Sequence, residues 1–506
     1  MREDDRNEER LGSHKKYGKS SRRKASFAWR ILPLIQLILT VVLAVQVYML
    51  DMLTVQYLGI AAVALVVLAA IPWILTSLRS RASRIIGTVI ALIATVLLAL
   101  GNYYLYQTSS TLEEITGTTT VTQTEEVVIV VLDESEFESL TDLDGKTVGI
   151  QSVLDRDNTD QALEELNSHL DSGVETTEYT GMGDMVQALY DEEVSAILFS
   201  ESYRDMITDE YETFDTDTRI LDTYTYETVV EVTSEGSDKE VDTEPFIVYF
   251  SGIDTYGSVA AKSRSDVNIM AVVNPQTKQI LLVTTPRDYY VCLPFGDDCM
   301  DKLTHAGIYG IDCSIETLEN LYGIDIDYYV RMNFTGFVDI VDALGGVSVY
   351  SSQSFSTSSG YSFSEGYNTV DGTAALAFVR ERKAFAEGDN QRGKNQMAMI
   401  TAIIKKIASP SILSSYTSLL SSLEGSFTTD MSSDNISSLV KMQLADNADW
   451  TVQSYAVYGT GSRKSTYSMG STSLYVTLQD EESIATAQEL IAMVQNGETI
   501  DDSLVE

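Results

Sequence analysis

The chain has 506 residues and a formal net charge of −40, from 34 Lys and Arg against 74 Asp and Glu, and 44% of it is hydrophobic. That length exceeds one ordinary core and calls for two or three folded units. The acidic balance repels phosphate backbones and excludes nucleic acid as the general partner.

The apolar residues are unevenly placed. Three long apolar runs come first, Ile31–Leu50, Val55–Leu78 and Ile85–Tyr106, and no charged residue interrupts any of them. As helices, each reaches across a bilayer core of about 30 Å. Lys15, Lys16, Lys19, Arg22, Arg23 and Lys24 precede the first run, and Arg79, Arg81 and Arg84 lie between the second and third. The first turn carries only Asp51. Positive-inside bias therefore predicts a multi-pass protein of the cell membrane, with a cytoplasmic N-terminus and everything after about residue 106 extracellular. A cleaved leader is not expected, because two more spans follow the first.

Residues 107–125, rich in Ser and Thr, read as a linker. From 126 to 232 a β-branched strand, "EVVIVVL", leads into alternating helices and strands, which predicts a small α/β accessory domain. The pattern resembles one lobe of extracellular solute-binding proteins, which leaves both an accessory and a ligand-binding role open. "TSEGSDKEVDTE", 233–244, is acidic and polar and reads as a second linker.

The third unit opens with "PFIVYFSGIDTYG". "VNIMAVVNPQTKQILLVTTPRDYY" reads as two strands joined by a turn at Pro275–Thr277. Helices are predicted near 315–322, 334–344, 372–380 and 391–408, with Gly345-Gly346 ending the second, and strands at 327–333, 347–350 and 450–458. The unit is mixed α/β, a sheet covered by helices. Cys292 and Cys299 enclose the short loop "CLPFGDDC". In an oxidising compartment a bridge between them is the expectation, with a free pair as the alternative and Cys313 buried.

Pairing the predicted hairpin sets Asp266 beside Pro286, and Arg264 beside Arg287 and Asp288. Asp254, after the preceding strand, reaches the same end. Salt bridges closing a hairpin would explain this much. "FVRERKAFAEGDNQRGKNQ", 378–396, adds five basic side chains in nineteen positions of an acidic chain. Arg380 and Arg382 share a face if the chain is extended there. Asp389 is expected to cap the next helix, with Arg392 and Gln396 on one face of it. Like charges about 6 Å apart repel by roughly 3 kcal/mol at an effective dielectric of about 20, so the cluster needs anions. Arginine's fork fits phosphate oxygens, while a surface ion-pair network is the plainer alternative. The sequence has no phosphate-binding glycine loop and no Gly-x-Ser-x-Gly elbow, and His305 reads as a packing residue. Lipid-linked phosphate is the anion that suits the outer membrane face.

"GID", "RSDVNIMAVVNPQTKQILLVTTPRD", "DKLTHAGIYG", "YYVRMNFTGFVDIVDALGGV" and "LAFVRERKAFAEGDNQRGKNQ", in that order across about 245–410, resemble the LytR-CpsA-Psr (LCP) family. The spans and accessory domain resemble its capsule-type members. Where relatives often carry Arg before the Gly-Asp, this chain has Glu387. The resemblance implies the following layout: a cytoplasmic tail at 1–28, three transmembrane helices within 29–106, the linkers and accessory domain above, a mixed-sheet LCP domain at 245–495 and a tail at 496–506. It also implies an extracellular phosphotransferase that moves a glycopolymer from a polyprenyl pyrophosphate onto peptidoglycan with Mg²⁺. Arg264, Arg287, Arg380, Arg382, Arg392 and Gln396 would clamp the pyrophosphate, and Asp254 and Asp266 would hold the metal. Asp266, Arg287 and Arg382 are the catalytic candidates, with Asp266 as base. The prenyl tail is expected to use some of Leu318, Leu321, Phe334, Phe337, Val338, Val341 and Leu344. Removing Arg382 or Arg392 is expected to leave the fold intact or slightly more stable while transfer is lost. A non-catalytic lipid-binding scaffold is the rival reading. A transcriptional regulator is excluded by a cytoplasmic tail of about 28 residues, too short for a DNA-binding fold.

Overall fold

The computed structural model describes residues 18–116, 119–232, 236–253, 263–296, 299–409 and 427–505, with Leu419 and Ser422. The apolar runs form α1 (Gly18–Leu50), α2 (Val55–Ser77) and α3 (Arg81–Thr116). Each contains a stretch long and apolar enough to cross a membrane. Ile38, Val63 and Leu97 face outward, as lipid contact requires. Two polar side chains within the runs donate across to a neighbouring helix. Gln36 Nε2 donates to the Leu68 carbonyl at 2.8 Å and Asn102 Nδ2 to the Leu39 carbonyl at 3.1 Å. In hydrocarbon an unpaired amide costs several kcal/mol, roughly 4–8 by transfer to cyclohexane, so these bonds fix helix partners. At Gly87 a Cβ would lie 2.7 Å from that of Leu75, so glycine lets α3 approach α2 closely.

The expected linker at 107–125 takes regular structure instead. Its first part prolongs α3, where Thr108 and Thr116 donate to carbonyls one turn back. Its second part begins β1 (Thr119–Leu132), which pairs antiparallel with β5 (Thr218–Val232) along its whole length. Its β-branched residues, mostly Thr, suit such a ribbon better than a tether. With β2 (Thr147–Gln151), β3 (Glu175–Tyr179) and β4 (Ala196–Ser200), it makes a five-stranded sheet of order β3-β2-β4-β1-β5. Helices α4 (Arg156–Ser168), α5 (Met182–Tyr190) and α6 (Arg204–Thr208) follow the expected alternation.

This accessory sheet is not a free-standing lobe. Met182, Met185 and Phe199 share one apolar cluster with Ile308, Met469 and Leu474 of the third unit. The Met182 amide donates to the Ser468 carbonyl at 2.8 Å, and a Cβ on Gly181 would strike Gly470. The described part of the second expected linker is also tied down. Lys239 pairs with Asp327 at 2.8 Å, and the Tyr328 hydroxyl donates to the Ser237 carbonyl at 2.7 Å.

The third unit is built on a six-stranded mixed sheet: β6 (Phe246–Ile253), β7 (Ser265–Asn274), β8 (Gln279–Thr284), β9 (Tyr328–Met332), β10 (Phe427–Thr429) and β11 (Thr451–Ala456). The spatial order is β10-β9-β6-β7-β8-β11, with β6 parallel to β9 and β8 parallel to β11. On one face, alternate residues Tyr249, Met270, Val272 and Leu281 pack against Leu318 and Tyr322 of α7 (Ile311–Tyr322) and Leu490 of α11 (Glu481–Gln495). On the other face lie α8 (Phe334–Ala343), α9 (Gly372–Arg380) and α10 (Asp389–Ala408). Gly345 and Gly346, at φ 72° and 82°, end α8 as expected. The carboxyl ends of β6, β8, β9 and β11 and the start of β7 meet at one edge, where open α/β sheets place their ligands.

The cysteines correct the expectation of a bridge: all three are free. Cys292 pairs with Met300 across a short hairpin, while Leu293 opposes Cys299. The two side chains therefore point to opposite faces, Cys292 outward and Cys299 inward. An impermeant maleimide is expected to label Cys292 in the folded protein and to reach Cys299 and Cys313 only after denaturation, as mass spectrometry of digested peptides would read.

Candidate functional site

The turn after β7 takes four residues, Pro275 to Lys278, with Lys278 at φ 56° and Asn274 opposite Gln279. The register is therefore one residue beyond the expected one, and Asp266 faces Arg287 rather than Pro286. Arg287 Nη1 donates to Asp266 Oδ2 at 2.6 Å, and the Thr304 hydroxyl donates to the other oxygen at 2.9 Å. Asp288 sits 3.7 Å from Arg287 Nε and 3.2 Å from Lys302 Nζ. Asp254 lies outside the described residues.

Arg264 does not turn to Arg287 and Asp288, as the hairpin alone suggested. It is bonded to Asp209, which follows α6 in the accessory unit, and lies 3.8 Å from Asp205. The same Asp209 oxygen accepts from Arg287 Nη2 at 3.2 Å. The sequence reading missed this contact because nothing local marks it; it arises from packing between two distant segments.

The second cluster comes from α9 and α10. Arg380 ends α9 and lies over the Phe334 ring, 4.2 Å from its centroid. Glu381 is extended, so Arg382 follows on a non-helical path. The cap of α10 is Gly388, at φ 54°, and Asp389 is the first helical residue. Its carboxylate meets Arg392 at 2.5 Å. Glu387 pairs with Lys394 at 3.3 Å. Gln396 donates to the Val379 carbonyl at 3.4 Å, tying α10 to the end of α9.

The expected repulsion among arginines is thus largely cancelled by carboxylates. Arg264, Arg287 and Arg392 are buried and each has an acidic partner, so removing Arg392 would strand Asp389 and cost stability. Arg382 is exposed and has no ion-pair partner among the described residues, which keeps the expectation for that position.

These neighbours set the ionisation. Burial pushes Asp266 up, but Arg287, Arg264, Arg392 and the Thr304 hydroxyl outweigh it and hold the carboxyl at about 2. Burial raises Asp389 above the ordinary carboxylate range, with Arg392 opposing. Asp266 therefore contributes stability that is complete above the ordinary 3.8 and lost as pH falls towards 2. The wild type is expected to exceed Asp266→Asn by about 2 kcal/mol above pH 4, with the gap closing near pH 2, in urea denaturation across that range.

Two cavities meet here. A polar pocket of about 10 Å³, room for one water, is lined by Asp266, Arg287, Asp389, Arg392 and Gln396. A larger cavity of about 420 Å³ shares Asp266, Arg287, Arg392 and Gln396 and also takes in Arg264, Arg380, Arg382 and Asp209. Its remaining wall is mostly apolar. Of the residues expected there, Phe334 and Phe337 line it. Leu318 and Leu321 belong to the core on the other side of the sheet, and Val341 and Leu344 to the core beneath α9. At Val338 the carbonyl lies so near Gly372 that a Cβ there would be 2.4 Å away. The wall is completed by Ile400, Ile403, Ile404 and Ile407 of α10. Their spacing is a helical stripe, a signal present in the sequence that packing against a filled core would explain equally well. His305 is buried between Asp301 at 2.7 Å and Ser468 at 2.9 Å, a packing residue away from both cavities.

The site thus joins a cationic mouth to an apolar cavity, on a chain with three helices long and apolar enough to cross a membrane. The LytR_cpsA_psr family model matches residues 207–488, more than half of the chain, and the chain belongs to that family. It is 37% identical over 214 residues to the Enterococcus faecalis polyisoprenyl-teichoic acid–peptidoglycan teichoic acid transferase TagU, covering 42% of this chain and 70% of that one. It is 36% identical over 207 residues to the Bacillus subtilis protein of the same name, covering 40% of this chain and 66% of the relative. The crystal structure of B. subtilis TagU aligns with 29% identity and a TM-score of 0.39, over 51% of this chain and 99% of that one.

Proposed function

We propose that this chain is a membrane-anchored phosphotransferase that moves a glycopolymer from a polyprenyl pyrophosphate onto peptidoglycan at the outer face of the membrane. The observation that carries this is the joining of Arg264, Arg287, Arg380, Arg382 and Arg392 to an apolar cavity within one space. The arginines suit the pyrophosphate and the apolar wall suits the prenyl tail. The relatives' activity supports the same assignment. The basic residues before α1 and between α2 and α3 favour a cytoplasmic N-terminus, with the catalytic unit outside.

In the transfer, the acceptor's hydroxyl oxygen bonds to the phosphorus that bears the glycopolymer. The bond from that phosphorus to the bridging oxygen breaks, the hydroxyl proton passes to a carboxylate, and polyprenyl monophosphate leaves. Buried guanidiniums already in place stabilise the charge that builds on the leaving phosphate. Asp266, held at about 2, is a weak proton acceptor. Asp389 lines the same polar pocket and is raised by burial, so it takes the role of base.

Mg²⁺ fits this donor chemistry. Asp266 supplies an ionised, hard oxygen ligand in the cleft, and Mg²⁺ commonly uses one or two carboxylates with substrate phosphates and water. Asp254 is the proposed second ligand. When bound, the ion would neutralise charge on the pyrophosphate oxygens.

The test is purified full-length protein in nanodiscs with lipid-linked glycopolymer and peptidoglycan oligomers. A covalent glycopolymer–peptidoglycan product and released polyprenyl phosphate are expected. Binding of the lipid without either product would make the protein a scaffold.

A further inference from the structure

We infer that Asp209, contributed by the accessory unit, is the built-in counter-anion of Arg264 and Arg287 and sets how tightly lipid phosphate headgroups are held there. The inference rests on the reading that the site takes a prenyl pyrophosphate. Arg264 and Arg287 have side chains only 7% and 8% exposed, and a buried guanidinium demands an anion. Asp209 makes a direct ion pair with both, whereas Asp266 is bonded to Arg287 and acts on Arg264 only through its field. Asp209 also lines the larger cavity beside them, so it stands where a phosphate oxygen would accept from the same two forks.

The two sides of this contact differ in what they can give up. The Asp209 side chain is 43% exposed and can be hydrated once it lets go. The arginines cannot follow it into water. The helix behind Asp209 is also fixed, because Met206 and Ile207 are buried in the apolar cluster with Phe214. Rotation of one side chain is therefore enough to free the arginines, and the domain need not move. A phosphate presents more charge than a carboxylate and accepts from a guanidinium fork, so it displaces Asp209. Every phosphate ligand pays the same displacement penalty. The prenyl monophosphate product is accordingly held less tightly than the arginines alone would hold it, and Asp209 re-forms its contacts as the product departs.

The test uses full-length protein in detergent, first without and then with Mg²⁺, titrated with geranylgeranyl pyrophosphate and with geranylgeranyl monophosphate by calorimetry. Asp209→Asn keeps the shape and removes the charge. It is expected to bind both probes roughly tenfold more tightly than wild type, the scale of one charge-assisted hydrogen bond. Its ligand-free melting temperature should fall while the rise on adding pyrophosphate grows, a crossing that a purely structural contact would not produce. Asp209→Glu, which restores the charge, should return towards wild-type affinity, and Asp205→Asn should change little. Unchanged or weaker binding by a folded Asp209→Asn overturns the inference. So does weaker binding confined to Mg²⁺ buffer, which would make Asp209 a metal ligand. A wild type that binds neither probe would instead overturn the lipid-pyrophosphate reading itself.

Discussion

Arg287→Ala is expected to abolish glycopolymer transfer and to lower stability by about 3 kcal/mol or more, the cost of leaving buried charges without their partner. Arg287 is the hub of the site: Asp266 lies at 2.6 Å, Asp209 at 3.2 Å and Asp288 at 3.7 Å from its guanidinium. Those carboxylates together raise its affinity for its proton despite burial. Its removal strands Asp266 at the cleft, leaves Asp288 to Lys302 alone, and deletes a phosphate donor. Arg382→Ala is the contrast. That side chain is exposed and without an ion pair among the described residues, so its loss should leave the denaturation midpoint in place. Transfer should still fall roughly 10- to 100-fold, the loss of one charge-assisted bond to the pyrophosphate. Urea denaturation beside the transfer assay separates the two variants. An Arg287→Ala protein with wild-type stability would mean that its carboxylates are solvated and the site is open to water. A fully active one would remove Arg287 from the reaction.

Much of this was legible in the sequence, and what was not has a common cause. Uninterrupted apolar runs give the three helices directly, because nothing but lipid or a large core tolerates them. The β7–β8 hairpin follows from alternation and the Asn-Pro turn, to within one residue of register. The residue of error came from the turn, which holds four residues because Lys278 takes a positive φ. The arginines of 378–396 stand out against an acidic chain. Contacts set by packing between distant segments were not legible. Asp209 is one of many acidic residues until the shared cluster around Met185 and Met469 brings its helix to Arg264. The cysteine pair misled for a related reason: close spacing says nothing of which face each side chain takes, and pairing of Cys292 with Met300 sends Cys299 inward. The tail wall lies between these cases. Its isoleucines recur at helical spacing, but only the fold shows that this stripe borders a cavity and not a filled core.

Filling that cavity should separate the lipid from its headgroup. Ile404→Trp is expected to weaken geranylgeranyl pyrophosphate binding roughly thirtyfold and to leave inorganic pyrophosphate binding unchanged. Ile404 lines the cavity but is not among the residues packed into the core beneath α9, whereas its neighbour Ile403 is. Added bulk at 404 therefore enters the cavity of about 420 Å³ and does not overpack the core. Excluding two or three carbons of the tail forfeits about 2 kcal/mol at about 0.8 kcal/mol per buried CH₂, which is the thirtyfold. The arginines remain in place, so a headgroup without a tail should bind as before. Calorimetry with the two probes reads both numbers on one preparation. Equal losses for both probes would mean that the tryptophan has disturbed the arginines through α10, on which Arg392 also sits. Undiminished binding of the prenylated probe would place the tail elsewhere, along the membrane surface, and would leave the isoleucine stripe as ordinary packing.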